Sequence, residues 1–289
     1  MRVSVGLPVD DATTAADLAR WSQTVERAGL HAVFVTDHPA PTASWLRRGG
    51  HPTLDPFVAL SFAAATTTSI ALHFNLLVAA YRQPLIAAKA IASLDSLSGA
   101  RVIVGVGVGY LEAEFAALGV SYRDRAALTD VTLTAMITAW TGEPFGDDDT
   151  VILPRPAQRP HPAIWIGGNS LAAMRRTVAF GQGWSPMPST AAARSVLGTP
   201  PLDDVAELGR RISRLHDMAH DAGRTDRLDV AVIPQSLSGF SHGSWQVDTL
   251  RDEIGSLRAA GGTVLVANVP ASGFDEAIAM LAEETVDTI

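Results

Sequence analysis

The 289-residue chain has no cysteine, which excludes disulfides, thiolate metal sites and cysteine nucleophiles together. It has a single lysine, Lys89, so arginine supplies the rest of its basic charge. Against 22 basic residues stand 30 acidic ones, for a formal charge of -8. Binding to a phosphate backbone needs a basic face, so a general role on nucleic acid is excluded; a pocket of one or two arginines stays open. Long uninterrupted apolar runs are also missing. The stretch from Pro56 to Tyr81 carries no Asp, Glu, Lys or Arg, but Thr66, Thr67, Thr68, Ser69, His73 and Asn75 interrupt it. It predicts a buried helix and a buried strand, not a membrane span. The first residues, MRVSVGLPVDD, read as a strand and lack the apolar core and cleavage site of an export signal; the expected location is cytoplasmic.

What the chain does contain, 47% hydrophobic and 18% charged residues, fills a sizeable core and argues against disorder. Eight short apolar runs of β type recur: VSVGLP from Val3, AVFVTD from Ala32, IALHFNLLV from Ile70, RVIVGVG from Arg101, AIWIGG from Ala163, GWSPMP from Gly183, LDVAVI from Leu228 and TVLVAN from Thr263. Helical patterns lie between them. From Asp11 to Ala28, Leu18, Trp21, Val25 and Ala28 share one face, with Asp10 or Asp11 as cap and Gly29 as stop. Further helices are expected over 55–66, 84–97, 123–141, 171–180, 203–222, 247–259 and 274–288. Continuous apolar strands alternating with helices imply a parallel sheet covered on both faces. Eight such units predict an α/β fold, a (β/α)8 TIM barrel forming one domain over 1–289, with insertions after strands 4 and 5/6. A doubly wound open sheet is the alternative. The insertions, Tyr110 to Pro162 and 189–204, suit a substrate mouth or an oligomer contact.

A barrel builds its active site at the C-terminal ends of its strands. Strand two empties directly into Thr36, Asp37 and His38, and histidine is the side chain suited to proton transfer near neutral pH. The plainer reading is a turn capped by Asp37 with His38 in solvent. Trp45 and His51 follow as candidates to line a substrate pocket. Strand four leaves as GVGVGYLEAEF, where Gly105, Gly107 and Gly109 allow close approach to a planar ligand or a phosphate. The spacing is not G-x-G-x-x-G, which argues against a nicotinamide dinucleotide. Strand five leaves through Gly167, Gly168, Asn169 and Ser170 into a helix, a natural phosphate site or a plain capped turn. His216 and His220 lack the glutamate of H-E-x-x-H, and GDDDT lacks calcium-loop spacing, so both read as solvated surface and no metal is expected. In the third strand His73 reads as a hydrogen-bonded core residue, and Asn75 lies nearer the mouth.

The ordered series FVTDHPAP, LDPFVALSFAAATTTSIAL, AYRQPLIAAKAIASLDSLSGARVIVGVGVGYLEAEFAALGV, HPAIWIGGNS and GQGWSP resembles the bacterial luciferase-like superfamily over nearly the whole chain. Within it, the branch that uses the deazaflavin coenzyme F420 is the most similar. The resemblance implies a homodimer of barrels whose mouth holds the coenzyme ring, with the phosphate-bearing tail near the loops after strands five and six. It assigns coenzyme contacts to Asp37, Asn75, Leu76, Gly107, Val108, Gly109, Gly167, Gly168 and Asn169, and a non-proline cis peptide at Asn75-Leu76. His38 exchanges a proton, and Asp37 orients it or contacts the ring. Arg175 or Arg176 is expected to offset the coenzyme's negative charge. Tyr110 stands where the family's sugar-phosphate dehydrogenases carry a glutamate, which argues against that substrate class and places Tyr110 with Trp45 and His51 in the pocket. Glu112 and Glu114 follow on a helix and are expected to point elsewhere. The implied activity is an F420-dependent oxidoreductase moving a hydride between the deazaflavin and a small organic substrate. The alternatives are an FMN-dependent luciferase-like monooxygenase and a coenzyme-binding protein without turnover.

Overall fold

The computed structural model describes residues 1–192, 194, 198–237 and 247–285. Its strands are β1 (Arg2–Gly6), β2 (Ala32–Val35), β3 (Ala71–Val78), β4 (Val102–Gly107), β5 (Ala163–Gly167), β6 (Gly183–Ser185), β7 (Asp229–Val232) and β8 (Val264–Asn268). Its helices are α1 (Ala15–Arg27), α2 (Ala43–Arg47), α3 (Pro56–Thr66), α4 (Pro84–Ser98), α5 (Glu112–Ala117), α6 (Arg125–Trp140), α7 (Leu171–Phe180), α8 (Val205–Asp221), α9 (Val247–Ala259) and α10 (Phe274–Thr285). The strands form a closed barrel in chain order from β1 to β8, the (β/α)8 architecture that the alternation predicts. β2 and β4 are buried at every residue, as strands covered on both faces must be. Among the described residues no helix is long and apolar enough to cross a membrane; the uncharged stretch becomes α3 and β3.

The chain divides into two compact units. The first comprises Met1–Pro8, Arg20–Phe34 and Ile164–Ile289, and the second Val9–Ala19 and Val35–Ala163. In the second unit, Asp55 starts α3 by accepting from the amides of Phe57 and Val58, with Pro56 in the first turn, where a proline loses no hydrogen bond. Gln83 does the same for α4, which stops at Gly99 in the left-handed conformation, φ 75°. The proline-rich end of the first insertion is tied down by Gln158. Its backbone and side-chain amides donate to the buried Asp95 carboxylate at 2.9 and 2.7 Å, and its side chain also reaches the Val102 carbonyl at 2.7 Å. The expected caps of α1 need correction. Thr14 and Asp17 cap each other reciprocally, Thr14 N to Asp17 Oδ2 at 3.0 Å and Asp17 N to Thr14 Oγ1 at 3.2 Å, as a capping box does. Asp10 instead closes the turn before it, accepting from Ala12 and Thr13.

β3 and β4 change register between Phe74 and Leu77, where the Asn75-Leu76 peptide is cis, as the resemblance implies. This irregularity explains one of the strand-four glycines. A Cβ on Gly105 would sit 2.3 Å from the Phe74 carbonyl oxygen, so the close approach Gly105 permits is to β3 and not to a ligand. Gly109 has φ +76°, and a Cβ there would meet Phe115 and Val78 at 2.8 Å, so its absent side chain also serves the protein's own packing. Gly105→Ala is expected to cost about 1 to 3 kcal/mol of stability, the usual price of overpacking. Urea unfolding of the variant checks this; an unchanged midpoint would show that β3 yields freely there.

Candidate active site

The second unit assembles the candidate catalytic groups around the ends of β2, β3 and β4. Asp37, two residues past β2, is 3% exposed. Its carboxylate accepts from Arg82 Nη1 at 2.6 Å, Arg82 Nη2 at 2.8 Å and the Val78 amide at 2.9 Å, a forked geometry that only a guanidinium offers. Arg82 also reaches Asp55 at 3.2 Å and lies over the Phe57 ring. Burial opposes the Arg82 charge, but the two aspartates overcome it and raise its pKa above the ordinary value. Asp37 therefore does not orient His38 as expected, because its oxygens face Arg82 and the end of β3.

His38 finds its partner elsewhere. Its Nδ1 lies 3.1 Å from Oε2 of Glu114, and Glu114 is 1% exposed. The same oxygen accepts from the Tyr81 hydroxyl at 3.1 Å, and Oε1 accepts from the Ala40 amide at 3.2 Å. The expectation that Glu114 points away is thus overturned. Helix α5 spans only six residues, and successive residues on a helix lie about 100° apart, so the inward turn of Phe115 carries Glu114 inward beside it. Glu112 is exposed as expected. The word EAEF held the signal, a carboxylate directly before an aromatic that must be buried. Arg82 was legible on similar grounds, being the first charge after a long uncharged stretch.

The predicted pocket residues gather on His38. Ring centroids of Trp45, His51 and Tyr110 lie 4.7, 5.2 and 5.9 Å from the imidazole. The hydroxyl of Thr42 caps α2 through the Trp45 amide at 3.2 Å, which sets the position of that indole. His51 Nε2 lies 3.1 Å from Thr36 Oγ1. Burial first, then the nearby His38, lowers the His51 pKa to about 4, so its ring is neutral at neutral pH. Burial followed by the Glu114 charge raises the Tyr110 pKa to about 12 and pushes Tyr81 further in the same direction. Both phenols stay protonated.

The residues assigned to the ring contact divide by environment. Within β3, Asn75 and Leu76 keep partial exposure between buried Phe74 and Leu77. A Cβ on Gly107 would lie 3.4 Å from Leu76, a tight but not forbidden contact, so packing alone does not demand glycine there. Gly107, Val108, Asn75 and Leu76 thus fit the edge of a planar, largely apolar group. In the first unit, Gly168 has φ +109° and donates its amide to Ser185 O. The Asn169 amide donates to Thr199 Oγ1 at 2.9 Å. Its side chain donates to Met187 O, Ser189 Oγ and Pro200 O and accepts from the Met187 amide. Ser170 caps α7 through the Ala173 amide. The capped-turn reading therefore accounts for most of these donors.

Beside Asn169 and Leu171 lies a cavity of about 320 Å³ bordered by Arg210, Arg211 and Arg214 of α8. Arg211 is fixed by Glu207 at 2.7 Å, Asn169 O at 3.1 Å and Pro201 O at 2.9 Å. The arginines that line this cavity are therefore those of α8, which sequence reasoning missed; Arg175 and Arg176 are not among its lining residues. Nothing local in the sequence brings α8 to the strand-five exit.

A closed barrel with a histidine and a buried carboxylate at the strand ends presents a candidate proton-transfer site. The family model described as luciferase-like monooxygenase matches residues 2–236, and the chain belongs to that family. It is 31% identical over 199 residues to the uncharacterized protein Rv0940c of Mycobacterium tuberculosis, covering 66% of this chain. The chain spans 62% of the length of that relative. A dimethylsulfone monooxygenase of Pseudomonas putida, FMNH(2)-dependent by name, is 36% identical over 100 residues, 31% of this chain and 28% of its own. An F420-dependent glucose-6-phosphate dehydrogenase of Beutenbergia cavernae is 35% identical over 146 residues, 49% of this chain and 42% of its own. In fold, the chain superposes on the monooxygenase RslO1 of Streptomyces bottropensis with a TM-score of 0.79 at 20% identity, covering 99% of both chains.

Asp37→Ala is expected to cost about 1 to 3 kcal/mol of stability, because Arg82 keeps only its Asp55 partner and the Val78 amide loses its acceptor. Adding Arg82→Met should cost less than the sum of the single changes. A denaturant-unfolding cycle checks this, and strict additivity would show that the fork is energetically idle.

Proposed function

We propose that the protein is a cytoplasmic oxidoreductase that uses the deazaflavin coenzyme F420 to exchange a hydride with a small organic substrate. The observation that carries this reading is His38, backed by a buried carboxylate at Nδ1 and ringed by Trp45, His51 and Tyr110. When bound, the coenzyme supplies the hydride chemistry. Asn75, Leu76, Gly107, Val108 and Gly109 are the residues that would hold its ring, and Asp37 supports them by fixing the Val78 amide and Arg82. His38 takes or returns the accompanying proton, and the aromatic side chains around it limit the access of water. The rings packed on His38 are uncharged, His51 included, which favours an uncharged substrate over a sugar phosphate. In the first unit, taken by itself, Asn169, two residues past β5, borders a cavity whose Arg210 and Arg214 suit a phosphate or carboxylate, and Gly167 and Gly168 lead the chain to it. The second reading, an FMN-dependent monooxygenase, draws support from the family's description and from the Pseudomonas putida relative.

Fluorescence titration separates the readings. Micromolar binding of F420 with FMN at least tenfold weaker is the expected result. The reverse preference would move the protein to the monooxygenases, and binding of neither would reject the site. His38→Ala should bind the coenzyme within about threefold of wild type while turnover falls roughly 10²-fold; retention of the coenzyme without turnover in the wild type would favour a binding protein.

The same unit offers a face for a homodimer. Val58 and Phe62 on α3 and Ile86 and Leu97 on α4 are all exposed, Ile86 at 69% and Leu97 at 87%, and the two helices pack together. We infer that these exposed apolar side chains form the association surface of a homodimer. Sedimentation should show a wild-type dimer and a monomer for the Phe62→Asp, Ile86→Asp double variant; a monomeric wild type would overturn the assignment.

A further inference from the structure

We propose that Glu114 is the positioning residue of His38: by accepting from Nδ1 it fixes the imidazole in the tautomer protonated there, leaving Nε2 as the nitrogen that takes and returns the proton. The inference rests on the role given to His38 above. The Ala40 amide can only donate, so Oε1 of Glu114 is an acceptor. The Tyr81 phenol, held protonated by burial and by Glu114 itself, donates to Oε2. His38 Nδ1, 3.1 Å from the same oxygen, then completes the set as a third donor.

Among the described residues, three rings face the imidazole. On the loop after α2 stands His51, which is neutral. After β4 stands Tyr110, protonated, and Trp45 carries no charge. Arg82 is matched by Asp37 and Asp55. Among the described residues, Glu114 is therefore the acidic group in contact with His38. When Nε2 gains a proton, the imidazolium forms against a carboxylate already in place, and when Nε2 loses it the neutral ring keeps the same Nδ1 bond. The carboxylate is itself held by the packing of its element: Phe115 is fully buried, and Tyr81 meets it edge-on with centroids 4.7 Å apart.

The experiment uses the full chain without coenzyme, so a failed coenzyme titration and a failure of this inference are told apart. Nitrogen-15 NMR of the histidine rings, with the His38 signals assigned by their loss in His38→Gln, reads tautomer and titration directly. The expected result is an Nδ1-protonated neutral ring in the wild type. In Glu114→Gln the proton affinity of His38 should fall tenfold or more, since an opposite charge at this distance shifts a pKa by about one to three units. Tyr81→Phe should leave the tautomer unchanged. An Nε2-protonated ring in the wild type would overturn the inference without any variant, and so would a change below threefold in Glu114→Gln.

Discussion

The buried fork between Asp37 and Arg82 joins the end of β2 to the end of β3, and the candidate site depends on that join. A carboxylate so enclosed is tolerated only when each oxygen is answered. Here the guanidinium takes both oxygens and the Val78 amide adds a third bond. Because Asp37 precedes His38 directly, the fork also fixes the point from which the imidazole departs. Arg82 sits two residues before Pro84, so the same contact sets the start of α4.

A second buried carboxylate lies close by in the fold and is solved differently. Asp37 is matched by a cation that does not release its proton, whereas Glu114 is matched by a phenol, an amide and an imidazole. Guanidinium stays charged at any working pH, but imidazole changes charge near neutrality. One carboxylate thus faces a permanent cation, and the other faces donors of which only the imidazole can also accept. Two acids in one unit acquire distinct roles from their partners and not from their own chemistry.

Much of this was legible in the sequence, and the remainder was hidden for identifiable reasons. The eight apolar runs marked the strands because a parallel barrel buries both faces of each. Caps such as Asp55 before Pro56 marked helices because their hydrogen bonds are local. Trp45, His51 and Tyr110 were named as lining residues, and the structure gathers them on His38. The pairing of Asp37 with His38 misled, since adjacent side chains on an extended chain point to opposite faces and seldom share a partner. Glu114 is expected from the sequence to point elsewhere because α5 is too short for a periodic pattern to show which face turns inward. Gly105 was read as a ligand contact because its actual neighbour, the Phe74 carbonyl, is brought near by an irregularity in another strand. The α8 arginines depend on packing between distant elements, which no local motif encodes.

The Gln158 clamp on Asp95 and Val102 has an evolutionary consequence. It seals the far end of the insertion onto the start of β4, while Glu114 and Phe115 secure the near end. Between them, Phe145 and Thr150 pair across an exposed turn. Closing a longer loop adds only a slowly growing entropic cost, so the chain can gain or lose residues at that tip without moving β4. Descendants of this barrel thus have room to vary the outer wall of the molecule while inheriting the His38 and Glu114 pair unchanged.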